Sequence, residues 1–293
     1  MRVTQSMLAS NMLSNLSKSY ANMGKYQDQL ATGKKITRPS DDPVVAMKGI
    51  TYRTNLMEVE QYKRNFSEAY TWTENTDAAL DKATQGLQRL RELTVQASND
   101  TYEGNQRKAI EEEIKQLKEH LVTIANTKVG DKYIFNGTNT SKEPVTTNAG
   151  GTVATTSTNA NEVKIELSKG IYIGVNVPGN KLFNADFFKR IEDLQTKLMS
   201  NAGDIDASLK DLDDNINAVL SVRSEIGARQ NRIEMMETRI DEQEVIANRV
   251  LSENEDVDIE RVITDLKTQE SVHRAALGVG SRIIQPTLMD FLR

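Results

Sequence analysis

The chain has 293 residues, 38% hydrophobic and only 5% aromatic, with 27% charged and a net charge of −5. That length allows one large domain or two to three small ones, and so few aromatics suit long helices better than a dense globule. The absence of cysteine excludes disulfides, thiolate metal sites and cysteine nucleophiles, and an acidic chain with no concentrated basic face gives no sign of a nucleic-acid partner.

Residues 1–31 carry apolar side chains at helical spacing: Met12, Leu13, Leu16, Tyr20, Met23, Tyr26 and Leu30. They contain no uninterrupted apolar core of signal-peptide length, and no later stretch approaches a membrane span. A cytosolic chain is therefore expected, unless it leaves by a route that reads no classical signal. The helix stops in "LATGKKITRPSDDPVVAMKGI", residues 30–50. Gly33 stands where a helix ending near Leu30 needs a residue at positive φ. Arg38 and Asp42 each precede proline, which pushes both out of the α region. Asp42 followed by Pro43 is a helix start, with a carboxylate at the cap and a proline where its missing N–H costs nothing. Residues 33–42 thus read as an ordered, non-helical joint marked by Gly33, Pro39, Asp41, Asp42 and Pro43. Two adjacent aspartates make a poor cation cage.

A long helix is expected from Pro43 to about Ser98. Its seam is Tyr62, Phe66, Ala69, Thr73, Thr76, Leu80, Ala83, Leu87, Leu90, Thr94 and Ala97, a heptad alternation softened by threonine. After Asn99, Asp100 and Gly104 a shorter helix, roughly 106–126, repeats the alternation with Ile110, Ile114, Leu117, Leu121 and Ile124. The composition then turns to Thr, Asn, Gly and Ala. Alternating runs at Val163–Leu167 and Ile171–Val175 flank a Ser168-Lys169-Gly170 turn, so 136–181 reads as a small β-rich insertion. The Asn-x-Ser/Thr matches at Asn136 and Asn139 are what such composition yields by chance.

Helix returns near Asn184, and the strongest period of the chain begins near Asp204. Ile205, Leu212, Val219, Ile226, Ile233, Ile240 and Ala247 recur every seventh residue. The companion positions turn polar at Arg223, Gln230, Glu237 and Glu244. A helix over 204–252, ~70 Å long, cannot bury such a stripe alone. Its expected partner is the helix at 43–98, antiparallel, with 106–126 alongside. Asn254, Glu255, Asp256 and Asp258 favour a new helix start. An EF-hand is not expected there, because the position that needs glycine is Ile259. The last stripe runs through Ile259, Val262, Ile263, Leu266, Ala276, Leu277, Ile283 and Ile284, with Leu288 beyond Pro286. Residues 1–50 hold seven basic against three acidic side chains and 252–293 five against eight, so the two ends can lie stripe to stripe with weak charge complementarity.

The fold class expected is mainly α: a long antiparallel coiled-coil-like helical rod built from both chain ends, amphipathic terminal helices and a small central β-rich insertion. The domains expected are 1–42 with 253–293, 43–135 with 182–252, and 136–181.

No active site is legible. His120 and His273 are far apart in sequence and lack a second ligand at helical spacing. Gly278-Val279-Gly280 is too short for a phosphate loop and reads as a loosening of its helix. Trp72 flanks a seam, and Glu111-Glu112-Glu113 is a solvated run. Neither an enzyme nor a cofactor is expected.

The motifs have a family. "LATGKKITRPSDDPVVA" (30–46) resembles the Gly-basic-basic-Ile…Asp-Asp joint of the flagellin superfamily, and "LQRLRELTVQASN" (87–99) resembles a second motif of that superfamily. The "RPSDDP" form, with "EDVDIERVITDLKTQESVHRAAL" (255–277) and "RIIQPTLMDFL" (282–292), is similar to its hook-associated members rather than to filament flagellins. The resemblance covers about 1–135 and 184–293; the insertion at 136–181 matches nothing.

It implies a structural adapter of the bacterial flagellum at the hook–filament junction, exported through the flagellar type III channel without a cleaved signal. The alternatives are a filament flagellin or a secreted coiled-coil protein of another kind. The partners implied are other copies of itself in a ring, the neighbouring hook-associated protein FlgK, flagellin and an FlgN-type export chaperone, with no nucleic acid and no membrane. Subunit packing would fall to Met12, Leu16, Tyr20, Met23, Leu30, Ile259, Ile263, Leu266, Leu277, Ile284 and Leu288. The chaperone would grip Ile263, Leu266, Leu277, Ile284 and Leu288, and residues 33–42 would join the inner layer of terminal helices to the rod.

Overall fold

The described residues, 5–98, 104–148, 151–200 and 205–284 of this computed structural model, hold six α-helices, a short 3-10 helix at Gly179–Lys181 and three short antiparallel strand pairs. In chain order α1 is Gln5–Thr32, α2 Pro43–Ala97 and α3 Gly104–Ala125. The strands β1 Lys128–Val129, β2 Lys132–Tyr133, β3 Val145–Thr147, β4 Val153–Thr156, β5 Lys164–Ser168 and β6 Ile171–Gly174 follow. Then come α4 Ala185–Ser200, α5 Ile205–Glu255 and α6 Ile259–Ile284. Each strand pairs with its neighbour in sequence. The chain divides into two compact units, residues 1–58 with 243–293 and residues 59–242, and α2 and α5 contribute to both.

In the unit 59–242, α2 and α5 run antiparallel. Lys63 meets Asp241 at 3.0 Å, the Tyr70 hydroxyl donates to Glu237 at 2.8 Å and Arg91 meets Asp213 at 2.7 Å. The seam read from the sequence is the one buried: Phe66, Ala69, Leu80, Ala83, Leu87, Leu90 and Ala97 against Leu212, Val219, Ile226, Ile233 and Ile240. Truncating any of these leucines to alanine would cost ~2–5 kcal/mol. The threonines belong to this seam because each satisfies its hydroxyl within its own helix. Thr73, Thr76 and Thr94 are fully buried, and donate to the carbonyls of Ala69, Trp72 and Leu90 at 3.0, 2.7 and 2.7 Å. Two polar residues expected beside the α5 seam pair with α2: Glu237 with Tyr70, and Arg223 with Asp77 at 2.8 Å and Asp81 at 2.6 Å.

The hairpin expected around 168–170 is β5–β6, and Gly170 takes the left-handed turn with φ 73°. The pairs β1–β2 and β3–β4 had no sequence signal of their own. Phe135, Leu167, Ile173, Val175 and Phe183 form the inner side of this region, with the Phe183 ring 5.0 Å from Phe135. Arg229 of α5 ties the hairpin down. It donates to the carbonyls of Gly174 and Asn176 at 2.8 and 3.2 Å and pairs with Glu162 at 2.6 Å.

One expectation fails. The acidic run does not open α6 as a block: α5 continues through Glu255, and only Asp258 caps α6, accepting the Arg261 N–H at 3.1 Å. Asn254 and Glu255 stay helical because their side chains find partners on α2 rather than on the backbone ahead.

Candidate functional site

The joint and the terminal helices lie in the unit 1–58 with 243–293. Gly33 ends α1 with φ 68° and donates to Gln29 O at 2.8 Å, as a left-handed cap requires. Asp42 opens α2: its Oδ1 accepts the N–H groups of Val44 and Val45 at 2.9 and 3.1 Å. Between them Asp41 accepts the Arg38 and Thr37 N–H groups at 3.0 and 3.2 Å, which hold its carboxyl below the usual carboxylate range. Both aspartates are thus engaged with backbone donors. Among the described residues no group of three or more His, Cys, Asp or Glu could hold a metal ion. No helix there is long and apolar enough to cross a membrane. Pro39 is exposed.

The joint is stitched to the α5–α6 turn. Lys35 N donates to Glu255 O at 2.7 Å and Val257 N to Gly33 O at 3.0 Å, around a bridge between Lys34 and Asp256. Side chains repeat the link: Lys34 Nζ reaches Asp256 Oδ1 at 2.8 Å and Glu255 Oε2 at 3.4 Å. Asn254 Nδ2 donates to Val45 O at 3.1 Å. Glu255, only 4% exposed, is the hub, because Arg53 binds it through two N–H groups at 2.7 and 2.8 Å. Gly49 makes room for it, since a Cβ there would lie 2.6 Å from Glu255 Oε1. The Arg53 hydrogen bonds, and Lys34 after them, hold the Glu255 carboxyl below its ordinary value. Lys34 and then Ser252 do the same for Asp256.

Sequence reasoning missed Glu255, Arg53, Lys34, Lys35 and Gly49 as parts of this site. The only local signal was that a lysine pair follows Gly33 while an acidic run follows α5.

The two terminal helices do lie together, antiparallel. Gln269 Nε2 donates to the buried Ser19 Oγ at 2.9 Å, and the Tyr20 and His273 rings are 6.2 Å apart. Gly280, read from the sequence as loosening α6, is buried with the Met12 side chain lying over it. The stripes nevertheless stay half open. Met12, Leu16, Met23, Leu30 and Leu266 are half-buried, while Tyr20, Ile259, Ile263 and Leu277 are exposed. The Ile284 side chain and Leu288 lie outside the described residues. Exposed apolar side chains on paired helices form a surface suited to other protein.

The comparisons with known proteins fall on these same helices. The bacterial flagellin N-terminal helical region matches residues 3–140, and the bacterial flagellin C-terminal helical region matches 209–292. Flagellar hook-associated protein 3 of Escherichia coli is 24% identical, over 94% of this chain and 95% of its own. A flagellin of Bacillus subtilis is 30% identical over 80% of each chain. In fold, the crystal structure of the flagellar junction protein FlgL from Legionella pneumophila is similar at a TM-score of 0.56, with 15% identity, over 71% of this chain and 99% of that one. With both flagellin helical regions matched and a flagellin this similar over most of its length, the chain belongs to the flagellin family.

Proposed function

We propose that this chain is a structural subunit of the bacterial flagellum that joins the hook to the filament. The observation that carries the reading is the match to a flagellar hook-associated protein over 94% of this chain. In this reading the subunit forms a single ring with copies of itself, with FlgK on the hook side and flagellin beyond. Residues 1–42 with 253–293 supply the inner layer, 43–135 with 182–252 the rod, and 136–181 the outer insertion. Met12, Leu16, Tyr20, Met23, Leu30, Ile259, Ile263, Leu266, Leu277, Ile284 and Leu288 meet neighbouring subunits. What supports that role is the apolar surface left open on α1 and α6, which asks for protein cover. The joint, marked by Gly33, Pro39, Asp41, Asp42 and Pro43, sets the terminal helices against the rod. Export is by the type III channel, and an FlgN-type chaperone shields the C-terminal stripe beforehand. No catalysis enters this role.

A second reading, filament flagellin, is favoured by the 30% identity to the Bacillus subtilis protein. Immunogold labelling of intact flagella separates the two. A single band where hook meets filament supports the junction subunit; label along the filament supports flagellin and overturns it.

A further inference from the structure

We infer that the unit 59–242 carries a second binding site, a groove between α2 and the open edge of β5 that takes an extended acidic peptide as an added strand. The groove encloses about 740 Å³, within the ~300–1,000 Å³ of sites that hold small ligands. Arg64, Asn65 and Trp72 line its helical wall, and Val163, Lys164 and Ile165 line the other.

The ladder defines which backbone groups face this space. Val163 O accepts from Val175 N at 3.0 Å and Ile165 stands opposite Ile173, so these residues turn their backbone groups towards β6. In an antiparallel pair the alternate residues point the other way. Lys164 and Glu166 therefore present N–H and C=O to the opposite edge. Asn65 Nδ2, from α2, takes the Glu166 carbonyl at 2.7 Å, which identifies that edge as the one facing the groove. Among the described residues β5 has no strand on that side, leaving the Lys164 backbone groups open to a chain laid alongside. Strand addition uses such groups for affinity and the neighbouring side chains for selection.

Charge selects the occupant. The two carboxylates lining the groove are already engaged: Glu68 by Trp72 Nε1 at 3.2 Å and Lys132 at 3.8 Å, Glu162 by Arg229 at 2.6 Å. Arg64 donates to Gln61 at 2.8 Å, and among the described residues neither it nor Lys164 has a carboxylate partner. The uncompensated charge is positive, so the complementary strand carries Asp or Glu. The competing role for Lys164 is protective, a charge that keeps a bare edge from pairing.

The test uses the full chain labelled with ¹⁵N. The probe is an acetylated, amidated Thr-Glu-Val-Glu-Val peptide. Its controls are the same peptide with lysine for glutamate, an alternately N-methylated version, and sialyllactose. The acidic peptide is expected to shift the amides of 162–166 and the Arg64 side chain, to slow exchange of the Lys164 N–H, and to bind less tightly as salt rises. Arg64→Ser with Lys164→Ser should weaken it by on the order of tenfold; both side chains are exposed, and unchanged Ile173 and Phe183 resonances report an intact fold. Several results overturn the inference: equal binding of the lysine or N-methylated peptide, unchanged binding by the double variant, or sialyllactose seated there instead. So does no shift at millimolar peptide, which would leave Lys164 with the protective role.

Discussion

Glu255 and Arg53, 202 residues apart in sequence, meet through two parallel hydrogen bonds of 2.7 and 2.8 Å. The fork matches a planar guanidinium to a carboxylate. Its effect is to fix the end of α5 against α2 where the joint crosses. Lys34 then joins the same carboxylate, so one buried acid orders three segments of chain.

That arrangement makes the joint acid-sensitive. Glu255 and Asp256 both titrate below their ordinary values of 4.5 and 3.8. A group whose folded pKa is depressed contributes stability that is fully present above the unfolded value and lost as pH falls through the folded one. Lys34, raised above 10.5 by Asp256, works on the opposite side: its contribution holds below 10.5 and fades at higher pH. Hydrogen exchange of the Lys35 and Val257 amides, corrected for intrinsic rate, should therefore show steady protection at neutral pH and a loss below 4.5. Protection that persists unchanged to pH ~3, well under ordinary carboxylate values, would contradict the account.

Gly49→Ala sets two effects against each other. Alanine in a helix gains ~1 kcal/mol over glycine. Here its methyl would fall 2.6 Å from Glu255 Oε1, which Arg53 holds in place, and crowding of that kind costs ~1–3 kcal/mol. The variant should lower the protection of Lys35 and Val257, whereas in a Glu255→Ala background the same change should be neutral or stabilising. An equal effect in both backgrounds would remove the close approach as the reason for glycine.

Asp42→Ala removes two accepted N–H bonds at the start of α2 and should cost about 1 kcal/mol locally. In the proposed role motility should fall more than secretion, because that role needs the folded joint. Cells that swim normally, with a protein that melts unchanged, would show that the joint does not orient the terminal helices.

Much of the fold was legible because burial repeats locally. The α5 residues Leu212, Val219, Ile226, Ile233 and Ile240 announce their face every seven residues, and each is buried. Asp42 and Gly33 were legible for a similar reason: a cap and a left-handed turn are set within four residues. Glu255 was not. Its role depends on Arg53 and Lys34, which sit far away in sequence, and a charged residue in an acidic run looks like any solvated neighbour. The open stripe of α6 was legible as apolar, but how much of it α1 covers depends on side chains such as Gln269 and Ser19 that carry no hydrophobic signal.

The chaperone reading rests on that stripe. Leu277 is exposed and Leu266 half-buried. Changing both to Asp should weaken binding of purified FlgN-type chaperone to the full chain by several kcal/mol, on the order of a hundredfold or more, since charge burial is costly. Calorimetric titration gives the comparison directly; equal affinities would remove these two residues from the chaperone site.

The junction role is tested most directly by deleting the gene and imaging the cells by electron microscopy. The expected result is hooks that end bare, with flagellin shed into the medium, and filaments restored when the gene is returned. Cells that keep full-length filaments without this protein, or that lose the hooks themselves, would contradict the account.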